Sequence, residues 1–207
     1  MKYEVVFWDI DGTLYDPLIN CPKWEEELPE KSDLDGINIS HLKFWMPYPG
    51  IKELLKKIPK NIQGIISNGY DLNQKNKILL LGVEDYFNPK LIFTSGGEAE
   101  RLLSSGYRKI NGKKHIWAID NMMEVTQKPG EYIFKRALQI SGIKAENAIM
   151  IGNSWTDIYG AQKTGMNSIY ISGTEKNEEA NPVLDGKIIP KAIVRKGDIP
   201  ALERLLL

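Results

Sequence analysis

The chain has 207 residues, 42% hydrophobic and 26% charged, enough for one substantial core with a small appended lobe. Its 27 basic and 27 acidic residues cancel and form no long run of one sign, which argues against nucleic acid or a membrane surface recognised by bulk charge. A lone cysteine, Cys21, excludes an internal disulfide and reads as a small filler or surface thiol.

In chain order, the opening M-K-Y-E-V-V is too short and acid-bearing in its apolar stretch for a signal peptide. No later run approaches the ~18 apolar residues of a membrane span, so the expected location is cytoplasmic. A first strand is expected over Tyr3 to Trp8. The segment 16–47 is polar and broken by proline, then turns aromatic at His41, Phe44 and Trp45; it reads as a small inserted cap. A helix follows Pro49-Gly50 over Ile51 to Ile58, then a strand over Ile62 to Ile66, a helix over Asp71 to Leu81 and a strand over Lys90 to Thr94. The stretch 96–127 interrupts this rhythm. It reads as an extra insertion in the core, with Asn111-Gly112 as a two-residue hairpin turn between strands.

Beyond it come a helix over Gly130 to Ser141, a strand over Ala148 to Ile151, a helix over Thr156 to Thr164 and strands over Ser168 to Ile171 and Ala192 to Val194. A last helix runs over Ile199 to Leu207, with Asp198 as its N-cap. Gly82, Gly142 and Gly165 stand just past three helix ends, where left-handed caps occur. Short apolar strands alternating with crossover helices predict an α/β fold: a three-layer, doubly wound, Rossmann-like parallel sheet from residues 1–15 and 48–207, with the small cap inserted.

Ligands of such sheets gather at the carboxyl ends of the strands. Asp9-Ile10-Asp11-Gly12-Thr13 follows the first strand, Ser67-Asn68-Gly69 the second and Gly152-Asn153-Ser154-Trp155-Thr156-Asp157 the fourth, with Lys128 ahead of the helix that feeds it. Carboxylate and amide oxygens suit a hard cation, Mg²⁺ above all, and a lysine with hydroxyls beside it makes a phosphate-binding set.

With these motifs the chain resembles the haloacid dehalogenase-like (HAD) superfamily, in its phosphatase branch with a small cap after the first motif. D-I-D-G-T, I-I-S-N-G, K-P-G-E-Y-I-F-K-R-A-L and G-N-S-W-T-D-I-Y-G-A-Q-K-T-G-M stand in the order of the family's four motifs, across roughly residues 4 to 172. The resemblance implies a Mg²⁺-dependent phosphomonoester hydrolase. Asp9 would be the nucleophile that forms an aspartyl-phosphate, and Asp11 the general acid and base. Gly12, Thr13, Ser67, Asn68, Gly69 and Lys128 would bind the phosphate, and Asp9, Asp11, Asn153 and Asp157 would hold the metal. Asn153 departs from the pattern, where the family usually has aspartate. The alternative is therefore a catalytically weak or inactive module that binds a phospho-ligand or a protein. A carbon–halogen hydrolase lacks the second aspartate that Asp11 supplies, and a phosphomutase normally has a larger cap.

The short cap implies an open site that suits a phosphorylated macromolecule or a generic small phosphomonoester, unless a homodimer partner or the 96–127 insertion covers it. His115, Trp117 and Trp155 are expected as core residues ahead of substrate contacts. His41, Phe44, Trp45 and Tyr48 stand between the two roles.

Overall fold

The computed structural model describes residues 1–15, 46–106, 113–173, 182–183 and 185–207. Six strands, β1 (Val5–Trp8), β2 (Gln63–Ser67), β3 (Ile92–Thr94), β4 (Ala148–Gly152), β5 (Asn167–Ser172) and β6 (Ala192–Arg195), form one sheet in the order β3-β2-β1-β4-β5-β6. Every pairing is parallel, and β1 lies at the centre between β2 and β4.

The apolar run of β1 explains its place, because successive side chains on a strand enter opposite faces. Val6 and Trp8 pack with Ile65, Ile149 and Ile151 under helices α1 (Ile51–Lys57), α2 (Asp71–Leu80) and α7 (Ile199–Leu206). Val5 and Phe7 point the other way, into Met150 and the Ile133, Phe134 and Ala137 face of α5 (Glu131–Ser141), with Ala161 of α6 (Trp155–Lys163). Each buried side chain of this size contributes about 1.5–3 kcal/mol, so two apolar faces per strand make the sheet the centre of both cores. The fold is thus the three-layer, doubly wound α/β architecture that the alternating pattern predicts. Gly82, Gly142 and Gly165 take positive φ values of 60°, 70° and 80° past their helices, and Asp198 caps α7 by accepting from the Ala201 N–H at 3.1 Å.

The second insertion differs from expectation. Strands do not flank Asn111-Gly112; helices do, α3 (Ser95–Gly106) before it and α4 (Lys113–Thr126) after it, while the dipeptide itself lies outside the described residues. The reason is the apolar spacing. Ala99 and Leu103 are four residues apart, and Ile119, Met122 and Met123 are three and four apart, which aligns them on helix faces that pack against each other and against Tyr70. An Asn-Gly pair signals a reversal but does not specify what it joins.

The expected cap at 16–47 falls almost wholly outside the described residues, as do Cys21, His41, Phe44 and Trp45 and the side chains of His115 and Trp117. The backbone before and after it is paired: Tyr15 and Pro47 form an isolated antiparallel bridge, so the chain leaves and rejoins the core at one point. Tyr48 is 8% exposed and belongs to the core, and partly buried Trp155 packs against Tyr159. Among the described residues no helix is long and apolar enough to cross a membrane.

Candidate active site

Asp9 follows β1 directly, and its N–H still donates to Ile151 O at 2.9 Å, so the ladder to β4 fixes its position. Its side chain is almost fully buried. Lys128 Nζ donates to Asp9 Oδ1 at 2.6 Å, to Asp157 Oδ1 at 2.5 Å and to Ile66 O at 3.2 Å, so its three protons meet three acceptors. Ser67 Oγ, at the end of β2, donates to the same Asp9 oxygen at 3.2 Å.

Two buried carboxylates around one ammonium leave an excess negative charge. Burial pushes the Asp9 carboxyl up to about 7; Lys128 opposes this, and the charges of Asp157 and Asp11 add to it. Burial alone would pull Lys128 down, yet the flanking Asp157 and Asp9 raise it further, so it stays an ammonium.

Asn68 contributes through its side chain as well as its backbone. Its Oδ1 accepts from the Lys128 N–H at 2.8 Å and its Nδ2 donates to Lys128 O at 3.3 Å, a two-point clamp on the lysine's own backbone. Gly69 donates its N–H to Ser95 Oγ at 2.8 Å. It serves the turn, at φ 121°.

Gly12 has φ 79°, and a Cβ there would lie 2.4 Å from Asn153 Nδ2, so only glycine lets the first motif close on the fourth. Thr13 is buried, and its hydroxyl donates to Asn153 Oδ1 at 3.3 Å instead of standing free for a phosphate. Asp157 is fully buried in the first turn of α6, where a capping box gives its Oδ2 the Ser154 N–H at 3.0 Å while Oδ1 takes Lys128. Expected as a metal ligand, it is engaged through both oxygens in holding Lys128 and the helix start.

Asp11 faces a different neighbourhood from Asp9. Lys77 Nζ on α2 reaches its two oxygens at 2.7 and 2.8 Å, Gln74 Nε2 donates to Oδ2 at 3.3 Å, and the Tyr15 hydroxyl donates to Oδ1. None of these three partners was among the expected site residues. Gln74 carried one signal: it lies four residues before Ile78 on the buried face of α2, a polar group where the helix pattern asks for an apolar one.

No three His, Cys, Asp or Glu side chains cluster as cation ligands among the described residues. The oxygens present still fit Mg²⁺. The Asp9 carboxylate, the neutral Asn153 amide and backbone carbonyls are hard donors, and the uncompensated charge beside Lys128 is what a divalent cation offsets.

Residues 125–195 match the HAD-hydrolase-like family, a span that contains Lys128, Asn153 and Asp157. Over that span the chain is similar to haloacid dehalogenase-like hydrolases. Among curated relatives, a glyceraldehyde 3-phosphate phosphatase of Pyrococcus furiosus is 30% identical over 125 residues, 59% of this chain and 40% of the relative. A protein of the same name from Methanothermobacter thermautotrophicus is 26% identical over 163 residues, 76% of this chain and 60% of the relative. The chain thus spans less than two thirds of these relatives' lengths. A HAD-hydrolase of Bacillus subtilis, YfnB, solved bound to magnesium, superposes with a TM-score of 0.58 at 16% identity, covering 100% of this chain and 99% of that one. At that identity the likeness concerns the HAD fold.

Proposed function

We propose that the chain is a phosphomonoester hydrolase that works through an aspartyl-phosphate on Asp9. The observation that carries this reading is the buried triad in which Lys128 bridges Asp9 and Asp157 at 2.6 and 2.5 Å, at the carboxyl end of the central strand. A carboxylate held in that way has a fixed direction of attack, and the ammonium screens it from the phosphate's charge.

In the first step the Asp9 carboxylate attacks phosphorus and the bond to the ester oxygen breaks, while Asp11 gives its proton to the departing alkoxide. In the second, Asp11 takes a proton from water, the hydroxide attacks phosphorus, and the bond to Asp9 breaks to release phosphate. Asp9, the Asp11 carbonyl and Asn153 Oδ1 would hold Mg²⁺, which supplies charge neutralisation for the phosphoryl oxygens. Asp157 positions Lys128, and Ser67 and the Gly12 backbone face the phosphate.

The relatives named as glyceraldehyde 3-phosphate phosphatases support a small phosphorylated metabolite as substrate. The competing reading is a phospho-ligand module without turnover, favoured only by the amide of Asn153 in the fourth motif. Phosphate release from glyceraldehyde 3-phosphate and p-nitrophenyl phosphate, with Mg²⁺ and with chelator, separates the two. Mg²⁺-dependent turnover that Asp9→Asn abolishes is expected; absence of turnover with any divalent cation would overturn the enzyme reading.

A further inference from the structure

We propose that Lys77, with Gln74 behind it, is the positioning residue for Asp11, so that each catalytic carboxylate of this site is held by its own lysine. The inference rests on the proposed phosphatase reading and concerns the proton-transfer half of it.

Lys77 binds both oxygens of Asp11, at 2.7 and 2.8 Å, and so fixes the plane of the carboxylate as well as its place. The pair is only half withdrawn from water, with side-chain exposures of 19% for Lys77 and 37% for Asp11. Asp11 thus keeps a wet edge from which a leaving group can be reached. Gln74, one turn earlier on the same face of α2, donates through Nε2 both to Asp11 Oδ2 and to Asn68 O.

Both acceptors demand the N–H side of the amide, and the consequence is visible at its other end. Gln74 is 97% buried, since 3% is exposed, and its Oε1 finds no hydrogen-bond partner among the described residues. A buried acceptor left without a donor is costly to the fold. A residue kept in that state is explained by what its N–H groups hold. Asn68 in turn clamps the backbone of Lys128, so one hydrogen-bonded path runs from Lys128 through Asn68 and Gln74 to Asp11 and Lys77. α2 thereby sets Asp11 relative to the Asp9–Lys128 pair.

A merely structural ion pair at this exposure contributes little to stability and nothing specific to one chemical step. The test compares wild type, Lys77→Met and Lys77→Arg in Mg²⁺, by single-turnover release of the alcohol from p-nitrophenyl phosphate and from glycerol phosphate. Nitrophenolate leaves without a proton, whereas an alkoxide needs one from Asp11. Lys77→Met is expected to slow glycerol release about 10- to 100-fold and nitrophenolate release less than about threefold, with KM and melting temperature nearly unchanged. Lys77→Arg is expected to restore most of the loss. An equal loss with both esters, a faster rate in Lys77→Met, or a fall in melting temperature that accounts for the loss would overturn the inference while leaving the phosphatase reading intact. A wild type that cleaves neither ester overturns both.

Discussion

The hydroxyl of Thr13 donates to the side-chain oxygen of Asn153 at 3.3 Å, joining the first motif to the fourth across 140 residues of chain. Asn153 stands where the fourth motif of the family usually has aspartate, and its amide oxygen accepts this bond. Replacing that oxygen by a carboxylate, Asn153→Asp, adds one negative charge beside Asp9. Mg²⁺ affinity is expected to rise about tenfold, on the order of 1.4 kcal/mol, as read by titration calorimetry. Unchanged affinity would remove Asn153 from the ligand set.

Among the described residues, Lys128 is the single cation paired with the buried carboxylates of Asp9 and Asp157. Lys128→Met leaves both charges without a partner, and removing one member of such a cluster costs about 3–5 kcal/mol. Urea unfolding of the metal-free protein is expected to show a loss of that order. Lys128→Met combined with Asp157→Asn should recover part of it, because one stranded charge is gone. A single variant as stable as wild type would contradict the buried bridge.

The pH dependence follows from Asp9. Its folded value of about 7 stands above the ordinary 3.8, so between those limits the folded state holds a proton that the unfolded state has released. The contribution of Asp9 to stability is therefore present at low pH and lost as pH rises through about 7. A cation binds the ionised form and competes with that proton. The gain in melting temperature from Mg²⁺ is thus expected to grow from about pH 5.5 to about pH 8. A gain that is flat or falls with pH would show that Asp9 does not take part in binding the cation.

Gly12 combines a left-handed backbone with a close approach, its missing Cβ falling 2.4 Å from Asn153 Nδ2. Gly12→Ala is expected to lower stability by about 1–2 kcal/mol from the backbone alone and to push Asn153 aside. Activity should therefore fall by far more than the shift in melting temperature accounts for, as a kcat measurement beside a thermal melt would reveal.

The six strands were legible as short apolar runs, buried on both faces in β1 to β5 while the edge strand β6 exposes Ile193, and Asp9, Ser67, Lys128 and Asp157 converge because they follow or feed neighbouring strands. What the chain did not disclose depends on side-chain direction. Lys77 reads as one more charge on a polar helix until α2 is docked and its ammonium reaches Asp11. The clamp of Asn68 on Lys128 is invisible before the two loops meet, 60 residues apart. The bonds that Gly69 and Thr13 make to Ser95 and Asn153 join loops that the linear order keeps apart. The helices flanking Asn111-Gly112 are written in the spacing of Ala99, Leu103, Ile119 and Met122, which the turn dipeptide masks because it signals a reversal without specifying helix or strand.

The bridge made by Lys128 also bears on the order in which the molecule can be built. Asp9 is made 119 residues before its ammonium partner, and Asp157 comes 29 residues after that. Before Lys128 is made Asp9 has no ammonium partner, and before β4 is made it lacks the backbone that seats it; sealing a bare carboxylate inside the nascent core is opposed by its lost hydration. The central strand therefore has to remain wet at its carboxyl end while the residues between Asp9 and β4 are made. Chemical competence and the seating of β1 against β4 arrive together.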